Sequence, residues 1–123
     1  MESLKHIVKH SAESKSISNQ ERGLWAENTF IRLLESKKVQ ILQHRVRMPH
    51  GEVDVFACQG SRYFIFEVKY LDNEWRIFER VKLDQIRRLK LNWLYCQKKY
   101  GEVSAFIVYV DKNGCCRFVN INE

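Results

Sequence analysis

The chain has 123 residues, of which 45% are apolar, and this is enough for one domain with a single core. Lysine and arginine outnumber aspartate and glutamate by 21 to 15, and the resulting net charge of +6 favours a polyanionic partner such as DNA or RNA. No apolar run approaches the ~18 residues of a membrane span, and the N-terminus lacks a signal-type apolar region, so we expect a cytoplasmic protein without membrane association. The spacing of the cysteines fits neither a zinc site nor a disulfide framework, which predicts free thiols at Cys58, Cys96, Cys115 and Cys116.

The first helix is predicted to begin at Ser18. Residues 1–17 are polar and are interpreted as a loosely ordered tail, followed by a single domain over residues 18–123. Ser18 and Glu21 match a capping box, so the helix should run from there to about Lys37. Its apolar stripe, at spacings of three and four residues, consists of Leu24, Phe30, Ile31 and Leu34.

Glu27 is an anomaly within this stripe. It lies three residues after Leu24 and four before Ile31, so it shares their side of the helix. A carboxylate on a core-facing side is costly unless it is paired, protonated or bound to a cation. The alternative is an edge position, from which Glu27 reaches solvent or pairs with an arginine.

Residues 39–48 alternate imperfectly between apolar and polar side chains and are predicted to form a strand. Pro49, His50 and Gly51 form the turn into the next strand. Arg45 and Arg47, together with His50, gather positive charge near the open end of the hairpin that follows. These residues are candidates for nucleic-acid contacts, and solubility is the alternative explanation.

Residues 51–69 are predicted to form a β-hairpin around Gly60 and Ser61, because glycine at the first central position suits a type II′ turn. This register places Asp54 directly across from Glu67 and Glu52 across from Lys69. Phe56 and Ile65 share the face of these charged residues. Strand alternation sends the other apolar residues to the opposite face: Val53, Val55, Phe64, Phe66 and Val68.

The Asp54 and Glu67 carboxylates should therefore lie close together. Directly opposed residues on one face of a sheet have Cβ atoms roughly 5 Å apart, and like charges there destabilise the sheet. A divalent cation held by oxygen ligands is the natural compensation, since Mg²⁺ is usually bound by one or two carboxylates with waters and a phosphate. A solvated face with surface ion pairs is the simpler alternative.

A second long helix is predicted from residue 78 or 79 to Tyr100. Lys82 and Gln85 are polar residues on its apolar side, in the first two turns. Either could reach a phosphate or a metal-bound water. The alternative is that both are polar residues at the edge of the core. Four arginines supply positive charge suited to phosphate contacts, or simply a solvated face: Arg76, Arg80, Arg87 and Arg88. Strands over residues 102–110 and 115–121, joined at Asn113 and Gly114, complete the chain.

Five short motifs together resemble the YraN-like family within the PD-(D/E)xK nuclease superfamily. They are Arg22-Gly23 and Ala26-Glu27, then Gly51-Glu52-Val53-Asp54-Val55, then Phe66-Glu67-Val68-Lys69, and Arg88-Leu89 on the following helix. The resemblance spans about residues 22–110. It implies an α/β fold with a restriction-endonuclease-like core, in the order α-β-β-β-α-β-β, with a central mixed sheet flanked by helices.

The resemblance also implies roles for individual residues. Asp54 and Glu67, with the Val68 carbonyl, are expected to bind Mg²⁺ or Mn²⁺, Lys69 is the expected catalytic lysine, and Glu27 is an auxiliary acid. Further auxiliary candidates are Glu52, Gln85 and Lys82. The chain departs from the family pattern at Tyr70 and Leu71, where a polar and a basic residue are usual, and at Gln85, where lysine is common.

The expected function is that of a divalent-metal-dependent nuclease. It would hydrolyse phosphodiester bonds of DNA, which is favoured over RNA, in structured or repair intermediates. The alternative is a non-catalytic nucleic-acid-binding module that retains the nuclease fold, and a third class is a protein-interaction subunit. Homodimerisation is left open.

Overall fold

The computed structural model describes residues 18–72 and 83–121. The predicted tail over residues 1–17 therefore lies outside the described residues, as do Arg76, Arg80 and Lys82. The elements in chain order are α1 (Asn19–Ser36), β1 (Gln40–Met48), β2 (Gly51–Gln59), β3 (Arg62–Leu71), α2 (Leu83–Tyr100), β4 (Val103–Asp111) and β5 (Cys116–Asn120). This order confirms the predicted sequence of elements.

The strands form one mixed sheet in the order β1-β2-β3-β4-β5. Strands β3 and β4 are parallel, and the other neighbouring pairs are antiparallel. A parallel pair needs a long crossover connection, and α2 forms part of it. Helix α1 packs on one face of the sheet and α2 on the other, so each face has its own apolar cluster. The architecture confirms the predicted α/β class with helices flanking a mixed sheet.

Helix α1 begins with the predicted capping box. The Glu21 amide donates to Ser18 Oγ at 3.1 Å, and the Ser18 amide donates to Glu21 Oε1 at 2.9 Å. The prediction that Leu24 belongs to the buried stripe is wrong, because this side chain is 45% exposed. The buried face is centred on Ala26 and Phe30, and Leu24, two residues before Ala26, lies roughly 200° around the helix from it.

The β2–β3 hairpin has the predicted register. Gln59 pairs with Arg62, and the described pairs continue to Val55 and Phe66. Gly60 has a φ of 62°, as the first central residue of a type II′ turn requires.

Beyond Val55 the strands do not keep simple alternation. The Val68 amide donates to Asp54 Oδ2 at 2.8 Å, so a side chain takes the place of a main-chain ladder bond. Val53 then packs with Phe56 and Ile65 on the α2 side, whereas Val55 packs on the α1 side. The predicted placement of Val53 on the face of Val55 is therefore wrong, because the strand turns over at Asp54.

The second predicted helix and the last two predicted strands are confirmed within the described residues, and the predicted start of that helix at residue 78 or 79 lies outside them. The turn between β4 and β5 contains Asn113 and Gly114, and Asp111 Oδ1 accepts hydrogen bonds from the Asn113 and Cys115 amides. None of the four cysteines, all of which are described, forms a disulfide bond. Neither described helix combines the length and apolarity that crossing a membrane would need.

Candidate active site

The site lies where the described β2–β3 pairing ends. Asp54 on β2 is joined to β3 by its bond to the Val68 amide. On β3, Lys69 Nζ lies 3.5 Å from Glu67 Oε2, and the two side chains are only 19% and 23% exposed. The fold thus places Asp54, Glu67 and Lys69 together, as the sequence predicted.

The two carboxylates are electrostatically unfavourable when both are ionised. Burial and, after it, the negative charge of Asp54 raise the pKa of Glu67 to about 7, against the opposing charge of Lys69. Burial also raises the pKa of Asp54 to about 6, although the Val68 amide and the charges of Lys69 and Arg45 oppose this rise. Without a cation, this site therefore holds protons close to neutral pH.

The predicted pairing of Glu52 with Lys69 is wrong. Lys69 pairs instead with Glu67, two residues away on the same strand. The described β2–β3 pairing ends before it reaches Glu52. On the other side of β2, Glu52 lies opposite Arg47 of β1. Glu52 is exposed and lines a small cavity beside Glu67.

This cavity, of about 40 Å³, lies between the sheet and α2. Gln85 and Arg88 line it from the helix, and Glu52 and Glu67 line it from the strands. Gln85 Oε1 is buried and has no hydrogen-bond partner among the described residues. The cavity has room for a water molecule, which would satisfy Gln85 next to the Glu67 carboxylate. Gln85 therefore lies where an auxiliary residue of the site was predicted.

Glu27 is buried, as its position in the stripe predicted, with 8% of the residue exposed. Its Oε1 lies 2.9 Å from His44 Nε2 and accepts a hydrogen bond from Arg45 Nε at 3.2 Å. The charge of Glu27 also raises the pKa of Asp54, which places the two carboxylates near each other. The alternative in which Glu27 pairs with an arginine is thus realised within the site.

The turn that leads into β2 is held by Asn92 of α2, which is 2% exposed. Its Oδ1 accepts from the His50 amide at 2.9 Å, and its Nδ2 donates to the Gly51 carbonyl at 3.2 Å. Gly51 itself has a φ of 123°, and the Arg88 side chain lies 3.6 Å from where a Cβ would be, so a larger residue would be strained there.

We expect Asn92→Ala to lower the free energy of unfolding by roughly 2 kcal/mol, because it leaves two backbone groups of the turn without partners. Urea denaturation measures this loss, and the m-value should not change. Gln97→Ala, at an exposed position of the same helix, is the control and should change stability by less than about 0.5 kcal/mol. Equal stability of the two variants would contradict the role assigned to Asn92.

The predicted nucleic-acid contacts are only partly within the described residues. Arg45, Arg47, Arg87 and Arg88 are exposed. Arg45 also contacts Glu27, and Arg88 lines the cavity. Arg76, Arg80 and Lys82 lie outside the part of the chain that the structure describes.

Two residues of the site were not predicted. Asn92 lies three residues after Leu89 and four before Cys96, so the periodicity that revealed Glu27 would have revealed it as a polar residue on an apolar side. His44 gave no such signal. Its contact with Glu27 depends on an irregularity of β1 between Ile41 and Gln43 that shifts the register of the strand.

The donor set suits a divalent cation with open coordination positions. Asp54 uses Oδ2 for the Val68 amide and Glu67 uses Oε2 for Lys69, so Asp54 Oδ1 and Glu67 Oε1 take part in none of the described hydrogen bonds. Within residues 18–72 and 83–121 there is no group of three or more His, Cys, Asp or Glu side chains that could hold a metal ion. The other ligands would then be a backbone carbonyl, water or substrate oxygen, which Mg²⁺ accepts readily.

Within the described residues, a mixed five-stranded sheet with a helix on each face, and with an acidic pair and a lysine on its second and third strands, defines an α/β protein. The chain belongs to the uncharacterised protein family UPF0102, whose family model matches residues 26–120. This confirms the family predicted from the sequence motifs.

Individual relatives agree with this assignment. A UPF0102 protein of Chelativorans sp. is 34% identical over 86 residues, covering 68% of this chain and 67% of the relative. A UPF0102 protein of Thermus thermophilus is 42% identical over 48 residues, covering 39% of this chain and 43% of that protein, so the match spans less than half of the relative. A solved structure of an EndoMS complex with double-stranded DNA has a TM-score of 0.48 and 17% identity, covering 67% of this chain and 34% of that chain.

Proposed function

We propose that this protein is a divalent-metal-dependent nuclease that hydrolyses phosphodiester bonds of DNA. The observation that carries the proposal is the partly buried pair of carboxylates, Asp54 and Glu67, beside the Lys69 ammonium. Such a pair is costly to keep ionised without a cation. The net charge of +6 supports a polyanionic substrate.

The residues have separate tasks in the proposed reaction. Asp54, Glu67 and the Val68 carbonyl would hold Mg²⁺ or Mn²⁺. When bound, the cation polarises a phosphate oxygen and activates a water nucleophile. Lys69, held 3.5 Å from Glu67, would orient that water or stabilise the charge that develops on the phosphate. Gln85 and Glu52 would order water in the adjoining cavity, and the exposed Arg47, Arg87 and Arg88 would contact the phosphate backbone.

The test is cleavage of labelled branched, single-stranded and duplex DNA, and of matching RNA, in Mg²⁺, in Mn²⁺ and in EDTA. We expect cleavage of DNA with either metal and none in EDTA. We expect Glu67→Gln to lower activity by more than about 100-fold, because mutation even of a residue that only hydrogen-bonds to a metal ligand typically lowers activity 10- to 100-fold. Glu102→Gln is the matched control, because Glu102 is an exposed carboxylate paired with Arg62 at the other end of β3.

Two results would oppose the proposal. Cleavage that persists in EDTA or in Glu67→Gln would assign the activity to another site or to a contaminant. Salt-dependent binding of DNA without cleavage of any substrate would favour the non-catalytic binding module instead.

A further inference from the structure

Arg45 occupies an unusual position in β1. The pairs His44 with Val55 and Val46 with Val53 flank it, so the register places Arg45 opposite Asp54, yet the two do not appear as a pair in the ladder. Arg45 has a φ of 58°, in the left-handed region that long side chains rarely adopt. Strained backbone of this kind clusters at functional sites. The irregular position of β1, Arg45, thus lies across from Asp54, the carboxylate that β2 contributes to the candidate site.

The Arg45 side chain is anchored at one atom. Its Nε donates to Glu27 Oε1 at 3.2 Å, and His44 contacts the same oxygen at 2.9 Å. Glu27 is buried in α1, whereas the Arg45 side chain is 50% exposed. A guanidinium has five N–H donors, and only the one on Nε takes part in the described hydrogen bonds of Arg45.

The anchored guanidinium also lies near the acidic pair. Its charge acts on the Asp54 carboxylate and lowers the pKa of that group, although no hydrogen bond joins the two residues among the described contacts. Arg47, two residues along the strand, is exposed and lies in the regular ladder opposite Glu52. The two arginines carry the same charge. They therefore differ in their position on β1 and in the contact with Glu27 that holds the Arg45 side chain.

We propose that Arg45 is a phosphate clamp of this site: Glu27, which also contacts His44, holds its Nε, and its terminal amino groups bind the phosphodiester that lies against Asp54 and Glu67. A planar guanidinium binds two oxygens of one phosphate at once, which a lysine does not. Glu27 is then a positioning residue for the arginine and not a ligand of the cation. This inference rests on the proposed function, because it takes a phosphodiester as the ligand.

The test measures the affinity for a fluorescein-labelled branched DNA by anisotropy in Ca²⁺, which accepts oxygen ligands as Mg²⁺ does. We expect Arg45→Ala to weaken binding by more than tenfold. Arg62→Ala, which removes an exposed arginine paired with Glu102 at the other end of β3, should weaken it by less than threefold. Arg45→Lys should not restore the affinity. Arg45→Gly removes the same side chain without backbone strain, so it should match Arg45→Ala and keep the wild-type melting temperature.

The positioning role of Glu27 has its own readout. Glu27→Ala should weaken DNA binding as Arg45→Ala does, and the double variant should lose no more than either single variant. Glu27→Gln keeps an acceptor oxygen for Arg45, so it should bind DNA within threefold of wild type and retain the full thermal stabilisation by Mg²⁺. Loss of the Mg²⁺ effect in Glu27→Gln would overturn the assignment and make Glu27 a metal ligand.

The clamp and the nuclease proposal fail in different ways. If wild type cleaves DNA and Arg45→Ala and Arg45→Gly bind as well as Arg62→Ala, the clamp is overturned and the nuclease stands. If binding depends on Arg45 but nothing is cleaved, the clamp stands and the nuclease proposal falls. If wild type binds no DNA, both are overturned.

Discussion

We expect Asp54→Asn to abolish both the proposed cleavage and the thermal stabilisation by Mg²⁺, while the metal-free protein should remain as stable as wild type or become more stable. Asparagine still offers Oδ1 to the Val68 amide, so the hydrogen bond that joins β2 to β3 can persist. The substitution removes one of two mutually repelling charges, and it also removes an anionic ligand. Activity should fall by more than about 100-fold.

Differential scanning fluorimetry with and without Mg²⁺ measures the stability effect. A ligand present at about 100 times its Kd stabilises the folded state by about 2.7 kcal/mol, so wild type should melt at a clearly higher temperature in Mg²⁺. Glu102→Gln should respond to Mg²⁺ as wild type does. If Mg²⁺ protected Asp54→Asn equally, Asp54 would not be a ligand.

The second large effect concerns pH. The metal-free protein should lose stability as the pH rises from about 5 to about 8. The pKa values of Asp54 and Glu67 in the folded protein, about 6 and about 7, lie above their ordinary values of 3.8 and 4.5. The folded state therefore binds more protons than the unfolded state between these limits, and the stability that this supplies disappears as the folded protein releases them.

The expected loss is a few kcal/mol, because one pKa unit corresponds to about 1.4 kcal/mol and both groups contribute to it. Urea denaturation at several pH values measures it in EDTA and again in saturating Mg²⁺, where cation binding to the ionised pair should offset it. The double variant Asp54→Asn with Glu67→Gln should show a flatter profile in EDTA. A wild-type profile as flat as that of the double variant would contradict the buried acidic pair.

Much of the site could be predicted from the sequence because it depends on local rules. The opposition of Asp54 and Glu67 needed only the Gly60-Ser61 turn and the two-residue period of a strand. The burial of Glu27 needed only the helical period of α1. In both cases the polar residue stood out against a pattern set by its apolar neighbours.

The partners of these groups could not be predicted in the same way. Glu27 contacts Arg45 because β1 changes register between Ile41 and Gln43 and because Arg45 adopts a positive φ. No residue pattern specifies either event. Lys69 pairs with Glu67 and not with Glu52 because a side chain interrupts the hairpin ladder at Asp54. These pairings depend on tertiary contacts and not on the periodicity of apolar residues in the sequence.

Strand β3 is supported unequally on its two sides. Its pairing with β4 continues without interruption from Tyr63 to Leu71, whereas the described pairing with β2 reaches no further than Phe66. Glu67, Val68 and Lys69 therefore have main-chain support from β4 throughout. We expect any change in the distance between the two carboxylates on arrival of an ion to come from the segment of β2 around Asp54, which has no described ladder pairing with β3.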